Sequence, residues 1–213
     1  MLQALLLGCS ILLLFASTEI LYRRFHMAAE HTRKIAHIGG GLLCTAVPHL
    51  IPNPAYVFLL IIIFCILLSF SAKTGRMGSI YDVTRGGYGG LLFPLAVGII
   101  YFDFWLSKDA LLFYLPLLIL TIADPMAYFV GTSYPWKRYS VLNGTKTLSG
   151  SMAFFISALV ICALVTHAHP QWSLSLTRQA ILAFTTTIAE ALSTKGYDNI
   201  TIPIACTLVL LSF

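Results

Sequence analysis

Charged residues are scarce in this chain. Asp, Glu, Lys and Arg make up 10% of the 213 residues, and only eight residues are acidic. Roughly a quarter of the residues are charged in an ordinary soluble domain, so this scarcity excludes a typical soluble globular protein. Hydrophobic residues make up 58% of the chain, and the mean hydropathy is +0.87. The composition therefore predicts a polytopic membrane protein.

The chain also has no polar stretch long enough to form a soluble domain, and no internal repeat. It has instead a series of apolar runs, most of them long enough as helices to cross a hydrocarbon core of about 30 Å. We predict an all-α transmembrane helix bundle that forms a single membrane domain over residues 1–213. About eight spans are expected, at roughly 2–21, 36–51, 54–71, 88–102, 110–131, 147–166, 178–194 and 197–213. The run at 178–194 is only half apolar, and a re-entrant or interfacial position for it reduces the number of spans to about seven.

Features of secreted proteins are missing as well. The five cysteines all lie in predicted spans with no close pair, which argues against a disulfide framework and against a zinc site. The first apolar run has no basic segment before it and is followed at once by Tyr22, Arg23 and Arg24. This pattern is typical of an anchoring helix and not of a cleaved signal peptide.

Basic residues are distributed unevenly over the predicted topology. Of the thirteen Lys and Arg residues, only Lys108 and Arg178 fall on one side of the membrane. The positive-inside rule makes the other side cytoplasmic and places both termini outside. The net charge of +5 is explained by this topology and by contact with anionic membrane lipids, so we expect no nucleic-acid partner. The compact loops favour a bacterial inner membrane over the endoplasmic reticulum, and they do not indicate an oligomeric state.

The few acidic residues are informative because a charge at membrane depth costs about 2.5–3.5 kcal/mol even on lenient scales. Asp124 lies past the middle of the fifth span, and Pro125 after it predicts a bent or broken helix. Glu190 lies near the inner end of the seventh span, and Asp198 with Asn199 begins the eighth. These groups converge on one membrane face, although a purely structural buried acid paired with Lys or Arg also explains Asp124. Two other acids have nearer explanations, because Glu19 can pair with Arg23, and Glu30 with Arg33 or Lys34.

The segment NGTKTLSGS, residues 143–151, places Lys146 at the predicted start of the sixth span. Free backbone N–H groups, the positive end of a helix dipole and a lysine together form a phosphate-sized anion site. Mg²⁺ prefers one or two carboxylates plus phosphate oxygens, so this segment and the carboxylates suggest a metal-bridged nucleotide. The alternative for Lys146 is a lysine that only sets the topology.

Two further segments belong to the same predicted face. Arg33 and Lys34 precede His37 by three or four residues, which places all three on neighbouring positions of one helix. The segment TRGGYGG, residues 84–90, predicts a glycine turn beside Arg85.

The stretch ADPMAYFVGTSYPWKR, followed by NGTKTLSGS, resembles the nucleotide-binding signature of CTP-dependent lipid-alcohol kinases. This family contains dolichol kinase, phytol kinase and the CTP-using diacylglycerol kinase, and it is similar to the phosphatidate cytidylyltransferases. The segments RKIAHIGGG, GGLLFPLAVG and EALSTKGYDNITIPI resemble the phytol kinase branch, so the resemblance covers roughly 33–204. The matching signature positions are Asp124, Ala127, Gly131, Lys146, Thr147, Gly150 and Ser151.

The resemblance implies transfer of the gamma-phosphate of CTP to the hydroxyl of a membrane isoprenoid alcohol, such as phytol or a polyprenol, at the cytoplasmic face. Alternatives are a CTP-dependent diacylglycerol kinase, a cytidylyltransferase-like enzyme and a non-enzymatic transporter. The implied Mg²⁺ ligands are Asp124, Glu190, Asp198 and Asn199. The implied nucleotide-binding residues are Arg33, Lys34 and the signature positions from Ala127 to Ser151, while Asp124 and His37 are interchangeable candidates for the catalytic base.

Ser149 departs from the family pattern, which usually has an acidic residue at this position. The missing carboxylate is compatible with altered metal binding, with compensation by Glu190 or Asp198, or with reduced activity. The sequence does not choose among these three explanations.

Overall fold

The computed structural model of the protein describes residues 1–81, 88–142 and 144–212. This part of the chain is helical almost throughout, which confirms the prediction of an all-α polytopic bundle. It contains five helical segments that are long and apolar enough to cross a membrane. They are Leu2–Phe25, Pro54–Thr74, Gly89–Ser107, Leu111–Ser133 and Leu148–Ala168. The chain divides into two compact units, Met1–Ile99 and Ile100–Phe213.

The first unit consists of five helices and the first half of a sixth. They are α1 (Leu2–Phe25), α2 (Ala29–Cys44), α3 (Val47–Leu50), α4 (Pro54–Thr74), α5 (Gly78–Tyr81) and α6 (Gly89–Ser107). Helices α1 and α2 approach closely at Gly39, where an added Cβ atom would lie 2.9 Å from the Leu14 side chain. The span predicted at 36–51 is not one helix, because the chain turns after Cys44 and restarts with Pro48 in the first turn of α3. Proline has no N–H for an interior helical hydrogen bond and is tolerated in a first turn.

Both ion pairs expected in this unit are present. Arg23 Nε lies 2.5 Å from a carboxylate oxygen of Glu19, and Arg33 lies 2.6 Å from the carboxylate of Glu30. Glu19 also accepts a hydrogen bond of 3.1 Å from the backbone N–H of Ser79. The carboxylate of α1 therefore holds the short helix α5 as well as its own arginine.

The second unit begins with the end of α6 and contains the signature segments. Its further elements are α7 (Leu111–Leu118), a π-helical segment (Ile119–Ala123), α8 (Asp124–Ser133), β1 (Arg138–Val141), β2 (Gly144–Thr147), α9 (Leu148–Ala168), a 3₁₀ turn (Pro170–Trp172), α10 (Leu176–Leu192) and α11 (Asp198–Leu211). Helix α9 packs against α8 and α10, and α10 packs against α11. Phe113, Phe154 and Leu182 are fully buried in this unit.

A short antiparallel hairpin separates α8 from α9. Strand β1 pairs with β2 so that Arg138 lies opposite Thr147 and Tyr139 lies opposite Lys146. The prediction of helices joined by short loops did not include this hairpin. Thr147 ends it and caps α9, because its Oγ1 accepts a hydrogen bond of 3.1 Å from the Gly150 N–H. The predicted helix start after Lys146 is thereby confirmed.

The number of spans stays a prediction. The predicted seventh and eighth spans form α10 with 17 residues and α11 with 14, whereas a transmembrane helix needs about 20 apolar residues. Helix α10 buries Gln179, Thr186 and Glu190 among its neighbours. Its half-polar sequence thus reflects contacts inside the protein.

Candidate active site

Asp124 is buried at the first position of α8, directly after the π-helical segment. The sequence predicted a bend or break here, and the structure instead continues the helix through a wider turn at Ile119–Ala123. Pro125 explains the change, because it has no N–H and its ring crowds the carbonyl group of Thr121. Short π-helical insertions occur frequently at functional sites. The backbone irregularity and the buried carboxylate therefore coincide.

Lys146 and Glu190 form the central ion pair of the second unit. The Lys146 ammonium, from β2, donates a hydrogen bond of 2.7 Å to the backbone carbonyl of Glu190 in the last turn of α10. It also donates to the Oε1 atom of the Glu190 carboxylate. The Glu190 side chain is only 6% exposed and that of Lys146 is 19% exposed. Two residues that are 44 positions apart in sequence therefore meet in a mostly dry environment.

Asp124 and Asp198 belong to the same electrostatic cluster. Burial alone lowers the pKa of the Lys146 ammonium, but the carboxylates of Glu190, Asp198 and Asp124 outweigh burial and hold this pKa above its usual value. Groups from β2, α8, α10 and α11 thus form one electrostatic cluster, in which the ammonium of Lys146 interacts with three carboxylates. We call these four residues the Lys146 cluster.

Two buried oxygen atoms beside these elements have no hydrogen-bond partner among the described residues. They are Oε2 of Glu190 and the hydroxyl Oγ1 of Thr121, three positions before Asp124. A buried polar atom without a partner costs about 1–3 kcal/mol, and such atoms in a native structure often mark a place where water, an ion or a ligand binds. The Glu190 oxygen is a suitable acceptor or ligand at this site.

Asn199 is also buried, at the start of α11. Its backbone N–H donates a hydrogen bond of 3.0 Å to a carboxylate oxygen of Asp198. The predicted Mg²⁺ ligands from α10 and α11 therefore lie in the second unit together with Asp124.

The small residues of the signature hold α8 against α9. A Cβ atom added to Gly150 would lie 2.9 Å from the carbonyl oxygen of Ala127 and 3.4 Å from Cα of Gly131. A Cβ atom added to Gly131 would lie 2.7 Å from Oγ1 of Thr147. Close backbone approach is the packing role that small residues have in membrane helices. The spacing of these residues thus has a structural cause whether or not a nucleotide binds beside them.

The anion site predicted at the start of α9 needs a correction. The N–H of Leu148 donates to the carbonyl groups of Trp136 and Lys137, at 3.2 and 3.1 Å, and the N–H of Gly150 donates to Thr147. Ser151 Oγ lies 2.6 Å from the hydroxyl of Tyr139. The chain therefore satisfies two of the N–H groups that the sequence analysis treated as free. Lys146 stays the predicted phosphate-binding group of this segment.

Ser149 connects α9 to the loop that follows α8. Its hydroxyl donates a hydrogen bond of 2.6 Å to the carbonyl of Tyr134 and accepts one of 3.3 Å from the N–H of Trp136. A hydroxyl suits this position because it can donate and accept at once. The departure from the family pattern thus has a structural use in this chain.

The remaining predicted residues lie on α2 in the first unit. Arg33 is paired with Glu30, its Nε atom is buried without a hydrogen-bond partner among the described residues, and Lys34 is buried. The His37 ring lies 4.5 Å from the ring of Phe93, measured between centroids, at 52°. The predicted glycine turn beside Arg85 falls largely at 82–87, outside the described residues.

The described residues contain no preformed group of three or more His, Cys, Asp and Glu side chains that could hold a metal ion. Mg²⁺ held by a nucleotide needs only one or two carboxylates, because phosphate oxygens and water complete its shell. The Oε2 atom of Glu190, which has no hydrogen-bond partner among the described residues, fits such an ion. The described residues do not form a cage for a metal on their own.

A comparison with known proteins adds an independent observation. The chain is similar to a phytol kinase from Synechocystis sp., with 25% identical residues over 195 residues, which cover 91% of this chain and 83% of the relative. The resemblance to the lipid-alcohol kinases is confirmed. The similarity supports a membrane protein with kinase function at the level of this family. No protein-family model and no solved structure matches the chain.

Proposed function

We propose that the protein is a CTP-dependent kinase that transfers the gamma-phosphate to the hydroxyl of a membrane isoprenoid alcohol of the phytol or polyprenol type. The observation that supports this most is the Lys146 cluster, which places a cation for phosphate among three carboxylates that could hold a nucleotide-borne metal. Similarity to a phytol kinase over most of the chain supports the kinase reaction and the class of alcohol. The cytoplasmic face of a bacterial inner membrane is the proposed location.

The reaction forms a bond between the alcohol oxygen and the gamma-phosphorus of CTP and breaks the bond from that phosphorus to the beta–gamma bridging oxygen. CDP leaves, and the hydroxyl proton passes to a base. Such a transfer depends mainly on positioning the reactants and on neutralising charge around the moving phosphoryl group. The protein therefore needs a phosphate-binding cation, acidic groups and access for a lipid.

Lys146 is the cation in this proposal. It is bound to Glu190 in the structure, so phosphate oxygens must compete with that carboxylate for the ammonium. If Lys146 moved to the phosphates, the Glu190 carboxylate would be released from it and could be one of the groups that hold a metal. Arg33 and Lys34 are the additional proposed cations for phosphate.

Asp124, Glu190, Asp198 and Asn199 are the residues that would hold Mg²⁺. When bound, the ion supplies positive charge that neutralises the nucleotide phosphates. The base is Asp124 or His37, and the structure describes the two in different units. The alcohol reaches the base sideways between helices while its apolar tail stays in the lipid.

The test incubates membranes containing the protein with gamma-labelled CTP or ATP and a panel of phytol, geranylgeraniol, a polyprenol and diacylglycerol. Labelled isoprenoid phosphate from CTP is the expected result. If label is transferred from ATP alone, CTP is not the donor. If only diacylglycerol is labelled, the acceptor is not an isoprenoid alcohol. If no lipid is labelled, the proposed kinase activity is wrong. Release of pyrophosphate instead of CDP would identify a cytidylyltransferase. Activity of purified protein in detergent excludes a purely transport role.

Asp124→Asn is the matched site variant. We expect it to abolish label transfer while yield and thermal unfolding stay near the wild type, because Asn keeps the shape and removes the charge. Asp109→Asn is the control, since Asp109 lies in a connection between helices, where its carboxylate accepts a hydrogen bond of 2.9 Å from the Leu111 N–H. Equal activity of the two variants would remove Asp124 from the mechanism.

A further inference from the structure

The segment at residues 134–142, which leads from α8 through the first strand of the hairpin to its turn, exposes large apolar side chains. Leu142 is 84% exposed, Tyr134 is 74% exposed and Trp136 is 53% exposed. Apolar residues of this size cluster at the surface of a protein mainly where something covers them. The segment is not part of the Lys146 cluster, and the proposed reaction does not use it.

All the charged side chains of the segment are basic. Lys137 and Arg138 are exposed, and residues 134–142 include no acidic side chain. The Lys137 ammonium lies 4.9 Å from the centroid of the Trp136 ring, within the range of a cation–π contact. Aromatic rings beside Lys and Arg are typical of the boundary between lipid and water.

The position of the segment in the chain also favours the boundary between lipid and water. It joins Leu111–Ser133 to Leu148–Ala168, and both are long and apolar enough to cross a membrane. The segment therefore lies where two spans leave the bilayer. It is also fixed to α9, because Ser149 bonds to Tyr134 and Trp136, and the Leu148 N–H donates 3.2 Å to the Trp136 carbonyl.

We propose that the 134–142 segment docks on the headgroup layer of the membrane and that Lys137 and Arg138 select anionic lipids. Trp136, Tyr134 and Leu142 enter the boundary region, and the two cations contact lipid phosphates. Charge complementarity favours an anionic lipid surface as the occupant, since cations near such a surface are attracted to it. The hairpin thus lies along the membrane and does not project into water.

The test uses Trp136 as the only tryptophan, in a variant with Trp105→Phe and Trp172→Phe. The protein is placed in vesicles of phosphatidylcholine alone or of phosphatidylcholine with phosphatidylglycerol. Emission of Trp136 and its quenching by lipids brominated near the headgroup are measured. We expect a blue shift and stronger quenching in the anionic vesicles. The helical content of the variant must match the wild type before the comparison is made.

The charge requirement is tested by Lys137→Gln with Arg138→Gln. Removing each cation should lower the ratio of docked to undocked segment roughly fivefold in anionic vesicles. Lys108→Gln in the same single-tryptophan variant is the control, because it removes a cation elsewhere in the chain that lies 5.4 Å from the ring at position 105 in the wild type. It should leave Trp136 quenching unchanged.

Three results would overturn the proposal. Trp136 emission typical of water in both kinds of vesicle would show that the segment does not dock. Quenching that is independent of lipid charge would remove the selective role of Lys137 and Arg138. A change in Trp136 emission on adding CTP, without any response to lipid, would assign the segment to the nucleotide instead. None of these readouts depends on kinase activity.

Discussion

Replacing Lys146 by methionine is the most informative perturbation of the cluster. The change removes the only cation among the four clustered groups and leaves the Glu190 carboxylate buried beside Asp124 and Asp198. Methionine keeps much of the length and the apolar stem of lysine. The variant should lose stability for an electrostatic reason, with little contribution from lost packing.

The magnitude follows from the burial of the pair. Removing one partner of a buried ion pair costs about 3–5 kcal/mol, because the remaining charge is left uncompensated. The Lys146 side chain is 19% exposed, so water partly screens the pair and the lower end, about 3 kcal/mol, applies. Removing both charges with Lys146→Met and Glu190→Gln should restore more than half of that loss, since no unpaired carboxylate of Glu190 remains.

The assay is denaturant unfolding of the purified protein in detergent micelles, followed by circular dichroism. Lys73→Met is the matched control, because Lys73 is exposed at the end of α4 and should unfold like the wild type. The raised pKa of Lys146 means that its contribution is complete below the ordinary lysine pKa and is lost only as the pH rises through the folded-state value. Titration of Lys146 itself should therefore add no pH dependence to the comparison between neutral pH and about pH 10. A single variant as stable as wild type, or a double variant less stable than the single one, would refute this reasoning.

Three further outcomes are expected in the same assay. Gly150→Ala should lower the free energy of unfolding by about 1–3 kcal/mol, since the added Cβ meets a backbone carbonyl of α8 at 2.9 Å. Gly40→Ala is the control and should be tolerated, because its nearest contact is a side chain at 3.6 Å. Equal losses in the two variants would contradict the packing role of Gly150. Thr121→Val should raise the free energy of unfolding by about 1 kcal/mol or more, because it removes a buried hydroxyl without a described partner; destabilisation would show that the hydroxyl is satisfied. Ser149→Ala should lower the free energy of unfolding by about 1 kcal/mol, because its hydrogen bonds are lost. Ser149→Glu should lower it further, because a carboxylate cannot donate to a carbonyl. A Ser149→Glu variant as stable as the wild type would contradict this account.

Sequence reasoning reached the helical bundle because apolar runs of membrane length have few alternative structures. It also anticipated the local ion pairs of Glu19 and Glu30, which depend only on helical spacing. For Lys146 and Glu190, the sequence predicted only that both residues lie at the same face of the membrane. The contact itself depends on how α9 and α10 pack, and no pattern within either helix specifies that.

The hairpin and the π-helical turn were missed for related reasons. Residues 138–147 are too short and too mixed in composition to predict strands, and their pairing depends on the fixed ends of α8 and α9. Pro125 predicted an irregularity, but a bend and a π-helical turn are both ways to accommodate the missing N–H. The sequence therefore located the disturbance without determining its form.

The small number of protein ligands suggests an order of events in the proposed reaction. The described residues gather no group of three or more His, Cys, Asp and Glu side chains that could hold a metal in advance. The proposed Mg²⁺ would therefore need ligands from the nucleotide, whose phosphates would also compete with Glu190 for the Lys146 ammonium. Metal binding without nucleotide should accordingly be weak, while nucleotide and metal should each strengthen the binding of the other.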